Sequence, residues 1–568
     1  MHRLVPACSR GPATASLRAV AAAAFLAAAG AQPVGAVQHP SAAQIAVSSG
    51  GVVVTAQPLA TSAGARMLER GGNAADAAVA AAFALAVVES SMNSIGGRTQ
   101  ILLRLPDGTV RGIDATTQAP ATYDPDRAPQ ASYGYATVGV PGAVAGLLRL
   151  HDEFGSLPLD VVMAPAIDYA ENGVRLLAGE ARRQAFAARQ VAEFEGTRRV
   201  FLHDDGTPYR AGERLVQPDL ARTLRAIRDG GRQAFYEGEI ARRMAEDIQA
   251  HGGAVTLESL RDYRALDARI VRGRYRGYDL IGTYVPAAGA VSIEALQILE
   301  HFDLANLDGA SWAAAVGQAL ALAVEDARSL MGPPEMAERL TSAEWAAERA
   351  RLVRLPGASP EDGAGPASFL ETPDDDGHTT HMTAADADGM VVALTQTIGP
   401  SMGSKVVTPG LGFLYAATLG GYLGRMEPGE RARSFISPLL VEKDGEPVLV
   451  LGAAGGVRIV TAVVHTVARV IDQGMSLPDA LAAPRVHPTA NGIELETTPG
   501  VGWSPDVVRA LREAGWEVRE QPRVGAFGRV HAVYYDRPSK RWVGVADPDW
   551  EGTAAAVEPA AAGSGGGR

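Results

Sequence analysis

Apolar and polar residues along this chain fall into blocks of different period. Val52-Val53-Val54 is a β-branched run and predicts a strand. Leu68-Glu69-Arg70-Gly71-Gly72-Asn73 punctuates two helical stretches. The second, Ala74 to Val88, is apolar almost throughout and broken only by Asp76. It is too short for a membrane span and predicts a helix buried inside the protein. Leu102 to Ile113 carries Pro106-Asp107-Gly108 between two apolar runs, a hairpin signal. From Gly142 to Ala350 helical periodicity dominates, with mixed-charge helices at Gln217 to Gly230 and Glu237 to Gly252. Leu355 to His378 is rich in Pro, Gly and Asp and predicts a linker or exposed loop. Strands then return: Thr379 to Ala385 and Met390 to Ile398 flank Asp386-Ala387-Asp388-Gly389, and Ile436 to Glu442 and Pro447 to Leu451 flank Lys443-Asp444-Gly445. Val457 to Gln473 predicts a helix following Gly455-Gly456. The tail from Thr553 to Arg568 is Ala/Gly-rich and predicts disorder. No internal repeat is present. Strand pairs and long helices come in blocks without strict βαβ alternation, which predicts a layered α+β fold.

The N-terminus changes this picture. Arg3, Arg10 and Arg18 precede the small apolar run Ala19 to Ala31, and Val34-Gly35-Ala36 supplies small residues at a cleavage position. Residues 1–36 read as a secretory signal, and 37–50 as a short leader. A periplasmic or secreted protein with no membrane span after signal removal is expected. The one cysteine, Cys8, lies within the signal, so no disulfide or thiolate metal cluster is expected. The 47% hydrophobic content suffices for a large core, and the formal charge of −12 disfavours nucleic acid as a partner.

Several motifs fail as sites. Gly399-Pro400-Ser401-Met402-Gly403 fits the nucleophile-elbow pattern, but Ser404 to Gly410 is a poor helix, and the elbow needs one. His378 and His381 are three apart across an expected backbone break, which does not make a metal pair. Gly139-Val140-Pro141-Gly142-Ala143-Val144-Ala145-Gly146 lacks dinucleotide-loop spacing and predicts a turn opening a packed helix. The junction Gly377-His378-Thr379-Thr380-His381 is more informative. An acidic linker, Asp374-Asp375-Asp376, runs into a threonine that opens a strand. A threonine hydroxyl becomes a nucleophile when a neighbouring amine takes its proton, and a newly made α-amino group, with a pKa of about 8, can do so. Thr379 is therefore a candidate N-terminal nucleophile, beside a structural reading in which it merely starts a strand.

Leu68 to Ala80, Val138 to Gly146, Phe235-Tyr236-Glu237-Gly238, Tyr275-Arg276-Gly277-Tyr278 and Ile298-Leu299-Glu300 resemble, in order, the motifs of the γ-glutamyltranspeptidase family. Thr379-Thr380-His381 with Asp388-Gly389 and Thr395-Gln396-Thr397 resembles its catalytic stretch, followed by Ser434 to Pro438 and Gly452 to Ile459. The resemblance runs from about Gly51 to Asp547. It implies an N-terminal-nucleophile hydrolase with a four-layer αββα sandwich and no cofactor or metal. It also implies a precursor that cuts itself between His378 and Thr379. The large subunit, 37–378, and the small subunit, 379–568, would stay interwoven. Thr379 matches the family nucleophile, Thr397 the threonine that hydrogen-bonds it, and Gly455 and Gly456 the glycines whose N–H groups form the oxyanion hole.

The glutamate-gripping set departs from the family pattern. Thr116, in Ala115-Thr116-Thr117-Gln118-Ala119-Pro120, stands where the family has a carboxylate-binding Arg. Gly399 replaces an Asn, Gly421 falls in a normally acidic pair, and of two serines only Ser434 remains, the other being Phe435. Phe435 and the glycines predict a less polar, roomier pocket. Arg98, in Gly96-Gly97-Arg98-Thr99, is a new cation that can bind a carboxylate from another direction or serve the structure. These departures predict a small-molecule amide substrate other than glutathione. The other readings are a true γ-glutamyl transferase or glutathione hydrolase, a small-amide (oxamate-type) amidohydrolase, an acylase for larger amides, and an inactive binding homologue.

Overall fold

The computed structural model describes residues 39–357 and 378–559. The expected signal and the heart of the linker, 358–377, lie outside the described residues, as does 560–568. Two seven-stranded sheets form the centre. In chain order their strands are β1 (Ile45–Ser48), β2 (Gly51–Thr55), β3 (Arg98–Arg104), β4 (Val110–Ala115), β5 (Leu266–Asp267), β6 (Ile270–Tyr275) and β7 (Tyr278–Thr283). There follow β8 (Thr380–Asp386), β9 (Val391–Thr397), β10 (Leu439–Lys443), β11 (Glu446–Ala454), β12 (Arg529–Asp536), β13 (Arg541–Ala546) and β14 (Thr553–Ala556). One sheet has the order β1-β13-β12-β11-β10-β7-β6 and the other β14-β2-β8-β9-β3-β4-β5.

Helices cover the outer faces. On the second sheet lie α1 (Pro58–Glu69), α2 (Ala74–Val88), α3 (Ala143–Phe154) and α4 (Leu159–Asn172). On the first lie α5 (Gly289–Leu299), α6 (Gly309–Ser329) and α7 (Arg458–Ile471). The result is the expected four-layer αββα sandwich. Helix α2 shows why this sequence makes it. Asn73 accepts from the N–H groups of Ala75 and Asp76, Asp76 Oδ2 accepts from the Asn73 N–H, and all of Ala74–Val88 is buried.

The central strands are apolar on both faces because both are covered. Met382 and Ala384 of β8 join the helix-side core, whereas Ala385 joins Val391, Ala393, Val450 and Val533 between the sheets. Toward one end this inter-sheet layer turns polar. The His381 ring reaches Thr395 Oγ1 at 2.7 Å and Thr383 Oγ1 at 3.1 Å, and Thr383 donates to the His531 carbonyl at 2.9 Å. Gly452 on the facing sheet makes room for the ring, since a Cβ there would lie 2.3 Å from His381 Cε1. Burial depresses the His381 pKa and keeps the ring neutral.

Helices dominate the 142–350 block as expected, with β6 and β7 forming a hairpin inside it through Arg276 and Gly277, both at positive φ (51° and 74°). Two expectations need correction. The expected leader holds β1, paired with β13. The expected disordered tail begins as an edge strand. Thr553–Ala556 pairs with β2, and the Thr553 hydroxyl donates to Thr61 at 2.9 Å, so sheet pairing overrides the weak strand propensity of alanine.

Candidate active site

Side chains alternate along β8, so Thr380, Met382 and Ala384 face α2 while His381, Thr383 and Ala385 face the other sheet. Thr379, one residue before β8, continues the inner set. The register pairs His381 with Thr395 of β9, and Thr397 with Arg98 of β3. Thr99 pairs with Ala115 of β4. Continued by one residue at each edge, this register sets Thr379, Thr397, Arg98 and Thr116 in one inward-facing row across four strands, about 4.8 Å apart from strand to strand.

In this uncut chain the row closes on the His378 carbonyl. The Thr379 hydroxyl donates to that oxygen, and the Thr397 hydroxyl donates to it at 3.0 Å. The Gly399 N–H donates to Thr397 Oγ1 at 3.0 Å, which commits the Thr397 proton to the carbonyl. Thr397 was expected on the Thr379 hydroxyl itself; with the peptide bond intact, its partner is the carbonyl that Thr379 would attack. Burial, then the charges of Lys405, Arg529 and Arg183, hold the His378 imidazole down to about 3, so it is neutral. Burial also lowers the Lys405 ammonium to about 8, and this amine donates to the carbonyls of Ser401 and Gly403.

Strand β11 runs toward the same end. Val450 lies deep between the sheets, Gly452 meets His381, and the chain then turns at Gly455 (φ 140°) and Gly456 (φ 56°) into α7. The positive φ values and the 2.8 Å approach of Gly528 Cα to a Cβ at Gly455 favour glycine at this turn. Among the described residues neither glycine N–H donates to a protein acceptor. Two open donors ahead of a helix N-terminus suit a developing oxyanion.

The substrate-side expectations fare unevenly. Ser434 donates its N–H to the Pro286 carbonyl, and its buried hydroxyl has no partner among the described residues. Phe435 packs against the apolar core under α5 to α7. Thr116 leans back along its strand, its N–H and hydroxyl both bonded to Asp114 Oδ1 (3.0 and 2.8 Å). Gly399 and Gly421 do not open the pocket. The Tyr422 ring would lie 2.9 Å from a Cβ at Gly399, and the Gln130 carbonyl 2.4 Å from one at Gly421, so other parts of the chain fill the space. Ser401 lies in a turn with no helix after it, which removes the elbow reading. Both ring nitrogens of His381 are engaged by hydroxyls, and no group of three His, Cys, Asp or Glu side chains that could hold a metal occurs among the described residues. No helix among them is long and apolar enough to cross a membrane.

Sequence reasoning missed a buried charged cluster behind the junction. It joins Glu89 after α2, Glu180 and Arg183 on the helix Ala178–Val191, Arg529 on β12, and Trp550. The guanidinium groups of Arg183 and Arg529 both stack on the Trp550 indole, at 3.9 and 3.5 Å. Its members are scattered over more than 450 positions, and no motif links them.

A family model described as Gamma-glutamyltranspeptidase matches residues 60–557. The chain is 34% identical to the Acylase ACY 1 proenzyme of Pseudomonas sp. (strain V22), covering 90% of this chain and 94% of that protein. It is 31% identical to the Glutathione hydrolase proenzyme of Bacillus subtilis (strain 168), covering 90% of this chain and 92% of that protein. The structure is similar to the crystal structure of cephalosporin acylase from Bacillus halodurans, with a TM-score of 0.83 and 28% identity over 92% of this chain and 98% of that one.

Proposed function

The chain belongs to the gamma-glutamyltranspeptidase family, and on that premise we propose that it is a self-processing threonine amide hydrolase whose main substrate is not a γ-glutamyl compound. The observation that carries this reading is the convergence of two threonine hydroxyls on the His378 carbonyl. Thr379 Oγ1 attacks the His378 carbonyl carbon through a five-membered ring, with Thr397 stabilising the oxyanion. The C–N bond breaks as the hydroxyl proton passes to nitrogen, leaving an ester. Water hydrolyses the ester and frees two chains, 37–378 and 379–568, that remain interwoven across both sheets. In the mature protein Thr379 Oγ1 attacks a substrate amide, its proton moves to the Thr379 α-amine and then to the leaving amine, and water releases the acyl group. Gly455 and Gly456 hold the substrate oxyanion. The signal-like sequence of residues 1–36 supports export to the periplasm or medium.

The binding set supports an altered substrate. Thr116 is spent on Asp114, and Gly399 and Gly421 carry no polar side chain. The family's charge-assisted contacts to glutamate, about 1.5–3 kcal/mol each, are thereby lost. The acylase relatives favour an acyl-amide substrate over the small-amide alternative. γ-Glutamyl-p-nitroanilide should be turned over far below 10 s⁻¹, a rate of about the median for enzymes, while amides with other acyl groups are cleaved faster. Turnover of the γ-glutamyl compound at or above that rate would restore glutathione hydrolysis as the main activity.

Arg98 sits beside Thr397 in the nucleophile's own row, one strand from Thr116. The cation used for a substrate carboxylate has, on this reading, moved by one strand. Arg98→Ala should lower kcat/KM for amides with a carboxylate in the acyl group by about 10- to 100-fold, and for uncharged amides much less. Equal losses on both would return Arg98 to a structural role.

A further inference from the structure

Two acids lie in the cluster behind the cut site, and the fold treats them differently. Glu180 is saturated. It accepts from the Ser91 N–H (3.0 Å), the Ser91 hydroxyl (2.6 Å), Gln184 (2.7 Å) and Arg183 (2.9 Å). Arg183 spends its Nε on the Ser91 hydroxyl at 2.8 Å. Glu89 is equally buried, yet its Oε1 is 3.7 Å from Arg183, beyond hydrogen-bond distance, and its Oε2 has no partner among the described residues. Burial, only partly offset by Arg183, raises the Glu89 carboxyl to about 7. A buried carboxylate left so poorly partnered is costly unless something else completes it.

Its position indicates what that is. Glu89 caps the C-terminal end of α2, the helix packed on the face of β8 that Thr380 shares with Met382 and Ala384. The Thr380 hydroxyl faces the Glu89 carboxyl closely enough to lower its pKa, although the pair lacks strict hydrogen-bond geometry and Thr380 Oγ1 has no other partner among the described residues. Thr380 is the second residue of the proposed small subunit. The α-amino group released on Thr379 therefore appears one residue from an acid with spare acceptor capacity.

We propose that Glu89 is the counter-ion of the α-amino group that self-cleavage frees on Thr379, a positioning residue that turns the amine's lone pair toward Thr379 Oγ1. This rests on the reading of Thr379 as an N-terminal nucleophile. The carboxylate accepts one amine N–H. The lone pair then takes the Oγ1 proton as Oγ1 bonds to the substrate carbonyl carbon, and the ammonium passes that proton to the leaving amine nitrogen. The ammonium beside it offsets the burial that raises the Glu89 carboxyl, so the carboxylate stays charged through the step. The other charged or titratable groups around it are Arg183 and Glu180 from the helix Ala178–Val191, Arg529 from β12, and, around His378, Lys405. The three cations would depress the amine's pKa; among the side chains named, Glu89 raises it, Glu180 being paired with Arg183, and the carboxylate that hydrolysis leaves on His378 acts in the same direction.

The test is the pH dependence of kcat/KM for the mature enzyme. Glu89→Gln keeps the shape and an acceptor but removes the charge. The acidic limb, which reports deprotonation of the amine, should move down by about one pH unit or more, the shift expected for loss of an opposite charge at this range. A lower plateau with an unmoved limb, at any melting temperature, would overturn the proposal. If Glu89→Gln does not mature, the parent enzyme decides. The pH dependence of α-amine labelling on its native small subunit should give a Thr379 amine pKa of about 8 or above, and a value below about 7 would overturn the proposal. An acyl group trapped on a residue other than Thr379 would instead overturn the nucleophile assignment itself.

Discussion

Thr379→Ala is expected to remain one uncut chain and to hydrolyse no amide above background. Thr379 Oγ1 is the hydroxyl bonded to the His378 carbonyl oxygen within the five-membered geometry that an N-to-O acyl shift needs. Removing it deletes the proposed nucleophile of both reactions, and loss of a nucleophile typically costs several orders of magnitude in rate. Thr379→Ser should still cut, since it keeps the oxygen and changes only how its rotamer is held. Denaturing gels of freshly purified and week-old protein decide the matter. Two bands from Thr379→Ala would remove Thr379 from the role.

Thr397→Val should fold and yet cut itself about 10²- to 10³-fold more slowly, the effect typical of deleting one oxyanion donor. Valine matches threonine in shape, so the β9–β3 pairing at Arg98 is kept. What is lost is the 3.0 Å donation to His378 O. The Gly399 N–H also loses its acceptor, at a cost of about 1–3 kcal/mol in stability. A time course of the precursor band, with a thermal melt on the same samples, separates the two effects. Cutting within threefold of the parent would show that Thr397 does not stabilise the oxyanion.

Much of the fold was legible because its signals are local. Helix α2 is capped by Asn73 and Asp76 and apolar for its whole length, and the hairpins at Pro106-Asp107-Gly108 and Asp386 to Gly389 carry turn residues between apolar runs. What escaped depends on tertiary pairing. β6 and β7 are short and lie among helices, and β1 and β14 are edge strands whose weak patterns are fixed by their partners. The site divides in the same way. Thr379, Thr397, Gly455 and Gly456 stand in contiguous motifs. The row that sets Arg98 beside Thr397 is a matter of register, and Glu89, Arg183, Arg529 and Trp550 meet only in three dimensions. The roomy pocket inferred from Gly399 and Gly421 failed because a missing side chain does not say whether Tyr422 or Gln130 occupies its space.

Intact-mass analysis of the mature protein, before and after a brief reaction with an amide whose acyl-enzyme is slow to hydrolyse, tests the proposed nucleophile most directly. The small subunit should have the mass of a chain starting at Thr379, and the acyl group should map to Thr379 on peptide fragmentation. A small subunit that starts elsewhere, or an acyl group on any other residue, would contradict Thr379 as the nucleophile.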